Sequence, residues 1–134
     1  MRTLSTLLVV DDEAGVRAII SRWGKTHGYT VVEADSADAA LRQMHDCPAD
    51  IALCDLHLPG RDGRWLVNRL SEQFPSTAVL MTTGIDGGEA AAMLPDGAIA
   101  CLVKPFTFDQ LETLLDRALD WQLERATARL WKQE

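Results

Sequence analysis

Five short apolar runs, separated by helical patterns, constrain the fold of this chain more than any other feature. Four of the runs are apolar at consecutive positions rather than at alternate ones, which is typical of parallel strands covered on both faces. The second run contains Glu33, which indicates a strand nearer an edge of the sheet. The predicted strands are residues 5–10, 30–34, 50–54, 77–82 and 98–103.

The segments between these runs have the spacing of amphipathic helices, with apolar residues at i, i+3 and i+4. Ser36 and Thr107 are placed to act as N-caps of the second and the last helix. The segment Gly87–Leu94 predicts a weaker helix, because it has few large apolar residues. The other helical patterns are Val16, Ile19, Ile20 and Trp23; Ala37, Ala40, Leu41 and Met44; Leu66, Leu70 and Phe74; and Phe108, Leu111, Leu114, Leu115 and Ala118.

The alternation of strands and helices predicts an α/β fold, a doubly wound parallel sheet with helices on both faces and right-handed crossovers. Five strands favour the flavodoxin-like order 2-1-3-4-5. The length of 134 residues, with 47% hydrophobic and 25% charged residues, fits one globular domain.

Charged residues follow three of the predicted strands. Asp11 and Asp12 come after the first strand, Asp55 after the third and Lys104 after the fifth. The first and third strands are neighbours in the predicted order, so the three carboxylates meet at one edge and repel unless a cation is present. Mg²⁺ prefers oxygen ligands and accompanies phosphate chemistry, so it is the predicted metal. Taken alone, Asp11–Glu13 is also compatible with simple capping of a helix.

These stretches resemble the receiver domain of bacterial two-component response regulators, and the resemblance covers about residues 5 to 120. Each stretch is weakly specific by itself, whereas their order and their positions at strand ends are highly specific together. The matching stretches are Val9–Glu13, Asp55 with Leu58–Pro59 and Asp62–Gly63, Leu80–Thr83, and Lys104–Phe106.

The resemblance implies a phosphoacceptor and a set of metal ligands. Asp55 is then the residue that accepts a phosphoryl group from the phosphohistidine of a histidine kinase. Asp12 corresponds to the direct Mg²⁺ ligand and Asp11 to a residue that binds the metal largely through water. Asp55 and the backbone carbonyl of His57 complete the expected protein ligands.

The resemblance also implies groups that bind the phosphoryl oxygens. Lys104 supplies a cation and Thr83 a hydroxyl group, with Thr82 as the neighbouring alternative to Thr83. Pro105 corresponds to a cis-proline that helps to aim the lysine. Cys101 departs from the pattern, because family members usually carry Tyr or Phe three residues before the lysine. A small thiol cannot make the movement of a large ring, so the usual aromatic switch is not expected here.

Composition and cysteine pattern limit the other classes of function. The net charge of −7 argues against non-specific binding to nucleic acid. No stretch has the length and hydrophobicity of a membrane span. The three cysteines, Cys47, Cys54 and Cys101, match no zinc spacing, and we expect a reducing cytoplasm.

The partners implied by the resemblance are a sensor histidine kinase or phosphotransfer protein and a downstream protein or output domain.

The favoured function is a phosphorylation-controlled switch that acts through protein contacts and is not an enzyme with a separate substrate. The alternative is a metal-dependent aspartyl-phosphate phosphohydrolase of the haloacid-dehalogenase type, but that family carries D-x-D after the first strand. A flavodoxin-like cofactor domain is a third option, and it needs a phosphate loop rich in hydroxyl residues and glycine instead of paired acids.

The resemblance implies a receiver domain over residues 1–120, and residues 121–134 are then a helical extension of its last helix. This extension has two interpretations. Leu119, Leu123, Ala126 and Leu130 have the 4-3-4 spacing of a coiled-coil seam. A coiled-coil pattern of this short length fits either a frayed amphipathic extension or a helix that forms a homodimer or transmits a signal.

Overall fold

The computed structural model, which describes residues 5–84 and 94–132, contains one sheet of five parallel strands in the order β2-β1-β3-β4-β5. The predicted strand order is therefore confirmed. Residues 85–93, which make up most of the weaker predicted helix, lie outside the described part of the chain. The elements are β1 (Thr6–Val10), α1 (Ala14–Thr26), β2 (Thr30–Ala34), α2 (Ala37–Asp46), β3 (Ile51–Asp55), α3 (Gly63–Gln73), β4 (Ala78–Thr83), β5 (Ala98–Val103) and α4 (Phe108–Lys132).

The sheet separates two hydrophobic clusters, because successive side chains of a strand point to opposite faces. Leu8 and Met81 pack on the face covered by α2 and α3. Leu53 and Leu80 pack on the opposite face with residues of α1 and α4. Burying one such side chain stabilises the fold by about 1.5–3 kcal/mol. Consecutive apolar residues were thus a correct sign of covered strands for β1, β3 and β4. The prediction was wrong for β5, an edge strand in which four of the six residues are only partly buried, because no further strand among residues 5–84 and 94–132 covers that side of it.

The edge position predicted for the second strand is confirmed, since β2 pairs only with β1 among the described strands. Its Glu33 carboxylate is exposed and lies 3.4 Å from the Arg17 side chain of α1. The polar residue in this run therefore marks the place where the sheet meets solvent.

Helices α2 and α4 begin with side-chain caps, whereas the N-cap residue of α1, Glu13, makes no side-chain cap bond. Ser36 Oγ accepts a hydrogen bond from Ala39 N at 3.1 Å, as predicted. Thr107 and Gln110 form a reciprocal capping box, in which each side chain accepts from the backbone N–H of the other residue at 3.1 and 2.9 Å. The box starts α4 immediately after the Lys104–Phe106 segment and limits the movement of that segment.

Helix α4 runs without a break from Phe108 to Lys132. Leu111 and Leu115 are buried against the sheet, and Gln122 Nε2 donates to the carbonyl oxygen of Asp50 at 2.5 Å. Leu123 and Leu130 lie beyond this packed region, and each is 67% exposed. None of the helices in the described ranges has the length and hydrophobicity needed to cross a lipid bilayer.

Candidate functional site

The site lies at the carboxyl-terminal edge of the sheet, at the ends of the neighbouring strands β1, β3, β4 and β5. Asp11 follows Val10 of β1, and Val10 pairs with Cys54, the residue before Asp55. Lys104 follows β5 directly, and its backbone N–H donates to the carbonyl oxygen of Thr83 at 2.6 Å. The structure therefore brings together the charged residues that the strand-end pattern predicted.

Lys104 joins the two buried carboxylates of the site. Its Nζ donates to Asp11 Oδ2 at 2.7 Å and to Asp55 Oδ2 at 3.1 Å. The side chains of Asp11 and Asp55 are 2% and 6% exposed, so the lysine supplies charge that solvent cannot. Burial acts to lower the pKa of Lys104, but its hydrogen bonds and attraction to Asp11 and Asp55 outweigh burial and leave the pKa raised. The lysine is therefore firmly protonated.

Asp55 is held through both carboxylate oxygens. Oδ2 accepts from Lys104, while Oδ1 accepts from the backbone N–H of His57 at 3.1 Å. Burial raises the pKa of Asp55, and the charge of Asp11 adds to this effect, whereas the bonds from His57 and Lys104 oppose it. The result is an oriented carboxylate whose negative charge is poorly compensated, as expected where a further cation binds.

The carboxylates of Asp11, Asp12 and Asp55 form a group that can hold a metal ion. One oxygen from each lies within 4.8 Å of the others. Asp12 is exposed, whereas Asp11 already accepts bonds from Lys104 and from Glu13 N. Asp12 is thus the most open of the three donors, and a set of hard oxygen donors fits Mg²⁺.

Two threonines end β4 beside Asp55. The register pairs Asp55 with Thr82, whose carbonyl oxygen accepts from Leu56 N at 2.8 Å. Thr83 lies one residue closer to the edge, and both threonines are buried. The choice of Thr83 as the phosphoryl-binding hydroxyl therefore stays a prediction. The Lys104–Pro105 peptide bond is cis, as the resemblance implied.

Arg17 belongs to the surroundings of the site, although no motif marked it. Its Nη1 donates to the carbonyl oxygen of Asp11 at 2.6 Å, and its side chain is only 18% exposed. Arg17 therefore fixes the backbone between β1 and α1, which carries two of the acids. The sequence signal nearest to it was Glu33, an acid in a predicted strand, whose carboxylate lies 3.4 Å from the Arg17 side chain.

Two of the three cysteines lie in strands, Cys54 in β3 and Cys101 in β5. Cys54 is buried, and burial together with the charge of Asp55 raises its pKa to about 12. Cys101 is partly exposed in the edge strand β5, and burial raises its pKa as well. Both thiols are protonated at neutral pH, which makes them poor nucleophiles and metal ligands.

Comparisons with known proteins agree with this geometry. The family profile described as the response regulator receiver domain matches residues 7–116. The transcriptional regulatory protein ZraR of Escherichia coli (strain K12) is 33% identical over 114 residues, which cover 84% of this chain and 26% of ZraR. The regulatory protein AtoC of the same strain is 31% identical over 123 residues, which cover 91% of this chain and 27% of AtoC. The chain thus spans about a quarter of the length of these curated relatives.

Solved structures show the same similarity in three dimensions. NtrX from Brucella abortus in complex with ADP matches with a TM-score of 0.88 and 30% identity, over 96% of this chain and 30% of NtrX. A CheY-like receiver domain protein from Methanospirillum hungatei JF-1 matches with a TM-score of 0.82 and 27% identity, over 92% of this chain and 99% of that one. With its five-stranded sheet and its acidic strand ends, the chain belongs to the receiver domains of two-component response regulators.

Proposed function

We propose that this receiver domain is a switch in which Asp55 accepts one phosphoryl group from a histidine kinase or a phosphotransfer protein. The observation that carries the proposal is the state of Asp55, a buried carboxylate at a strand end that is oriented by Lys104 and His57 N. Asp11 and Asp12 lie beside it and provide the remaining oxygen donors. An ionised oxygen held in this way is the nucleophile that acyl phosphate formation requires.

In the proposed transfer, a carboxylate oxygen of Asp55 forms a bond to phosphorus while the bond between phosphorus and the donor imidazole breaks. The imidazole leaves with the electron pair. Lys104 Nζ, which lies 3.1 Å from Asp55 Oδ2, then pairs with a phosphoryl oxygen instead of that carboxylate oxygen. The hydroxyl group of Thr83 donates to a second phosphoryl oxygen. These contacts stabilise charge that spreads over the transferred group.

We infer that Mg²⁺ is the cation of the acidic group. Asp12 would bind it directly, Asp11 largely through water, and Asp55 and the backbone carbonyl of His57 would complete the protein ligands. The exposure of Asp12 and the proximity of the three carboxylates support this assignment. When bound, the metal neutralises charge on the phosphoryl oxygens.

Incubation with acetyl phosphate or phosphoramidate is the direct test of the proposal. With Mg²⁺ present we expect the addition of one phosphoryl group per chain, because one carboxylate at the edge is in position to attack. Without Mg²⁺ we expect no detectable addition, because the carboxylates repel an anionic donor. Intact-mass measurement reports the addition. Rapid release of many phosphates per chain from a small phosphomonoester would support the phosphohydrolase instead.

An apolar groove beside Lys104 supports a docking site for the protein that donates the phosphoryl group. The groove has a volume of about 650 Å³ and runs between α1 and the segment after β5. A second groove of about 540 Å³ continues along α1 to His27 and shares Ile19 and Phe108 with the first. Helical spacing placed both shared residues on core faces, yet Ile19 is 57% exposed and Phe108 53% exposed. We infer that an amphipathic helix of the donor covers them during transfer.

Replacing Ile19 with Ser should separate docking from chemistry. We expect Ile19→Ser to slow transfer from a phosphotransfer protein about tenfold, which corresponds to about 1.4 kcal/mol and is a loss typical of the few residues that dominate an interface. The rate with acetyl phosphate should not change, because the small donor needs no groove. Ile19→Leu keeps the apolar surface and serves as the matched control. Equal rates for all three proteins with the protein donor would exclude this groove as the docking site.

The exposed side of α4 supports a contact on the output side. Leu123 and Leu130 lie on the predicted seam and are both exposed. We infer that a downstream protein, an output domain or a second copy of the chain covers this side, and sedimentation equilibrium distinguishes the second copy from the others.

The three free cysteines support a cytoplasmic location, which cell fractionation would test.

A further inference from the structure

Helix α3 begins in direct contact with the backbone of the proposed phosphoacceptor. Gly63, its first residue, is buried, and its N–H donates to the carbonyl oxygen of Leu56 at 2.9 Å. A Cβ atom at this position would lie 2.2 Å from the carbonyl oxygen of Asp55 and 2.6 Å from Leu56 Cα. Ordinary van der Waals contact requires 3.4–4 Å, so a side chain does not fit.

This contact differs from those of the other tightly packed glycines in the described residues. A Cβ atom at Gly24 would meet a methyl group of Val31 at 2.9 Å, and one at Gly97 would meet Ser71 Oγ at 1.8 Å. The nearest neighbour is a side-chain atom in both cases, and the methyl group of Val31 can move by a change of rotamer, whereas Ser71 Cβ, at 2.6 Å from the Cβ added at Gly97, cannot. At Gly63 the three nearest atoms all belong to the backbone of Asp55 and Leu56. A larger residue at position 63 must therefore move either α3 or the end of β3.

We expect a larger residue at position 63 to displace the end of β3 rather than α3. Leu66 and Leu70 hold α3 in the core, both at 0% exposure, and Asp62 fixes its first turn by accepting from Trp65 N at 3.0 Å. The register of β3 with β4, in contrast, ends at Asp55, and beyond it the hydrogen bond of 2.8 Å from Leu56 N to the carbonyl oxygen of Thr82 ties the chain to β4. Displacement is therefore expected at Asp55, whose carboxylate depends on two hydrogen bonds of 3.1 Å.

We propose that Gly63 is a positioning residue for phosphoryl transfer. Because Gly63 has no side chain, α3 packs directly against the backbone of Asp55. This packing holds the Asp55 carboxylate in line with the incoming phosphorus. The inference rests on the proposed role of Asp55 as phosphoacceptor. Asp62 and Gly63 then have separate tasks, since Asp62 caps the helix and Gly63 sets its distance from the reacting residue.

The test compares Gly63→Ala with Gly15→Ala, a glycine of α1 whose added Cβ would have no heavy atom within 4 Å. Phosphorylation is measured with Mg²⁺ over a range of acetyl phosphate concentrations, and the rate is expressed per folded molecule from circular dichroism. For Gly63→Ala we expect the maximal rate to fall on the order of 10²-fold, the effect of a displacement near 1 Å in a reacting group. The half-saturating donor concentration should stay close to that of the native chain. Gly15→Ala should match the native chain in both quantities.

The outcomes separate this proposal from the proposed function. If the native chain takes up no phosphoryl group at Asp55, the proposed function fails. If the native chain is labelled and folded Gly63→Ala is labelled at the same maximal rate, only the positioning role is overturned. Should Gly63→Ala be unfolded in buffer, the measurement is repeated in trimethylamine N-oxide, which favours the compact state. A variant that remains unfolded there shows that Gly63 is a folding requirement, and this result also overturns the proposal.

Discussion

Asp55→Asn should remove all phosphoryl uptake from acetyl phosphate in the presence of Mg²⁺. The amide is nearly the same size as the carboxylate, but it lacks the negative oxygen that attacks phosphorus. It also removes one of the three carboxylates that surround the proposed metal position. Intact-mass measurement after incubation should show one added phosphoryl group in the native chain and none in the variant.

Asp46→Asn is the matched control, because Asp46 is an exposed acid at the end of α2. It should be labelled like the native chain. The loss in Asp55→Asn should not come from unfolding, since the variant removes a buried negative charge beside Asp11. We expect its metal-free free energy of unfolding to equal or exceed that of the native chain, because burial and the charge of Asp11 raise the pKa of Asp55 and make its ionised form unfavourable in the fold. Equal labelling of Asp55→Asn and the native chain would contradict the assignment of the phosphoacceptor.

The sheet and the acidic cluster could be predicted from the sequence because both depend on local patterns. Consecutive apolar residues in β1, β3 and β4 reflect strands that are covered on both faces. Once the strand order is known, parallel strands place their carboxyl ends at one edge. Asp11 and Lys104 directly follow β1 and β5, and Asp55 is the last residue of β3, so the geometry of the sheet alone brings them together.

The exposure of Ile19 and Phe108 could not be predicted in this way. Helical spacing indicates which side of a helix is apolar, but it does not show how far the neighbouring elements cover that side. Ile20 and Trp23 are buried on α1, whereas Ile19 lies beside them and remains 57% exposed. Phe108 begins α4, before the helix reaches the sheet at Leu111. Their exposure depends on tertiary packing.

The close contacts that helices α3 and α1 make with the backbone of the site could not be predicted from the sequence either. The dipeptide Asp62–Gly63 was recognised as part of a matching stretch, and the structure shows that Asp62 caps α3. The distance between Gly63 and the Asp55 backbone depends on how α3 sits against β3. The bond from Arg17 to the carbonyl oxygen of Asp11 likewise depends on the placement of α1. Neither distance leaves a periodic pattern in the sequence.

Lys104→Met should weaken the fold and the proposed chemistry together. The substitution leaves Asp11 and Asp55 buried without the cation that bonds both of them at 2.7 and 3.1 Å. Without Mg²⁺ we expect the free energy of unfolding to fall by about 3 kcal/mol, the lower end for breaking a buried ion pair, since Lys104 retains some exposure. The phosphorylation rate with Mg²⁺ should fall on the order of 10²–10³-fold, as for the loss of one group that stabilises transition-state charge.

The effect of Mg²⁺ on stability should be larger in Lys104→Met than in the native chain, because the metal then provides the main cation near the two carboxylates. At about 100 Kd, metal binding stabilises a folded state by roughly 2.7 kcal/mol. The raised pKa of Lys104 means that its contribution is complete below the ordinary lysine pKa and is lost only as the pH rises through the raised value. Urea unfolding at neutral pH, with and without Mg²⁺, therefore measures the whole difference. Lys25→Met, at an exposed lysine in the last turn of α1, is the control. If the two methionine variants have the same metal-free stability, the bonds of Lys104 to Asp11 and Asp55 do not support the fold.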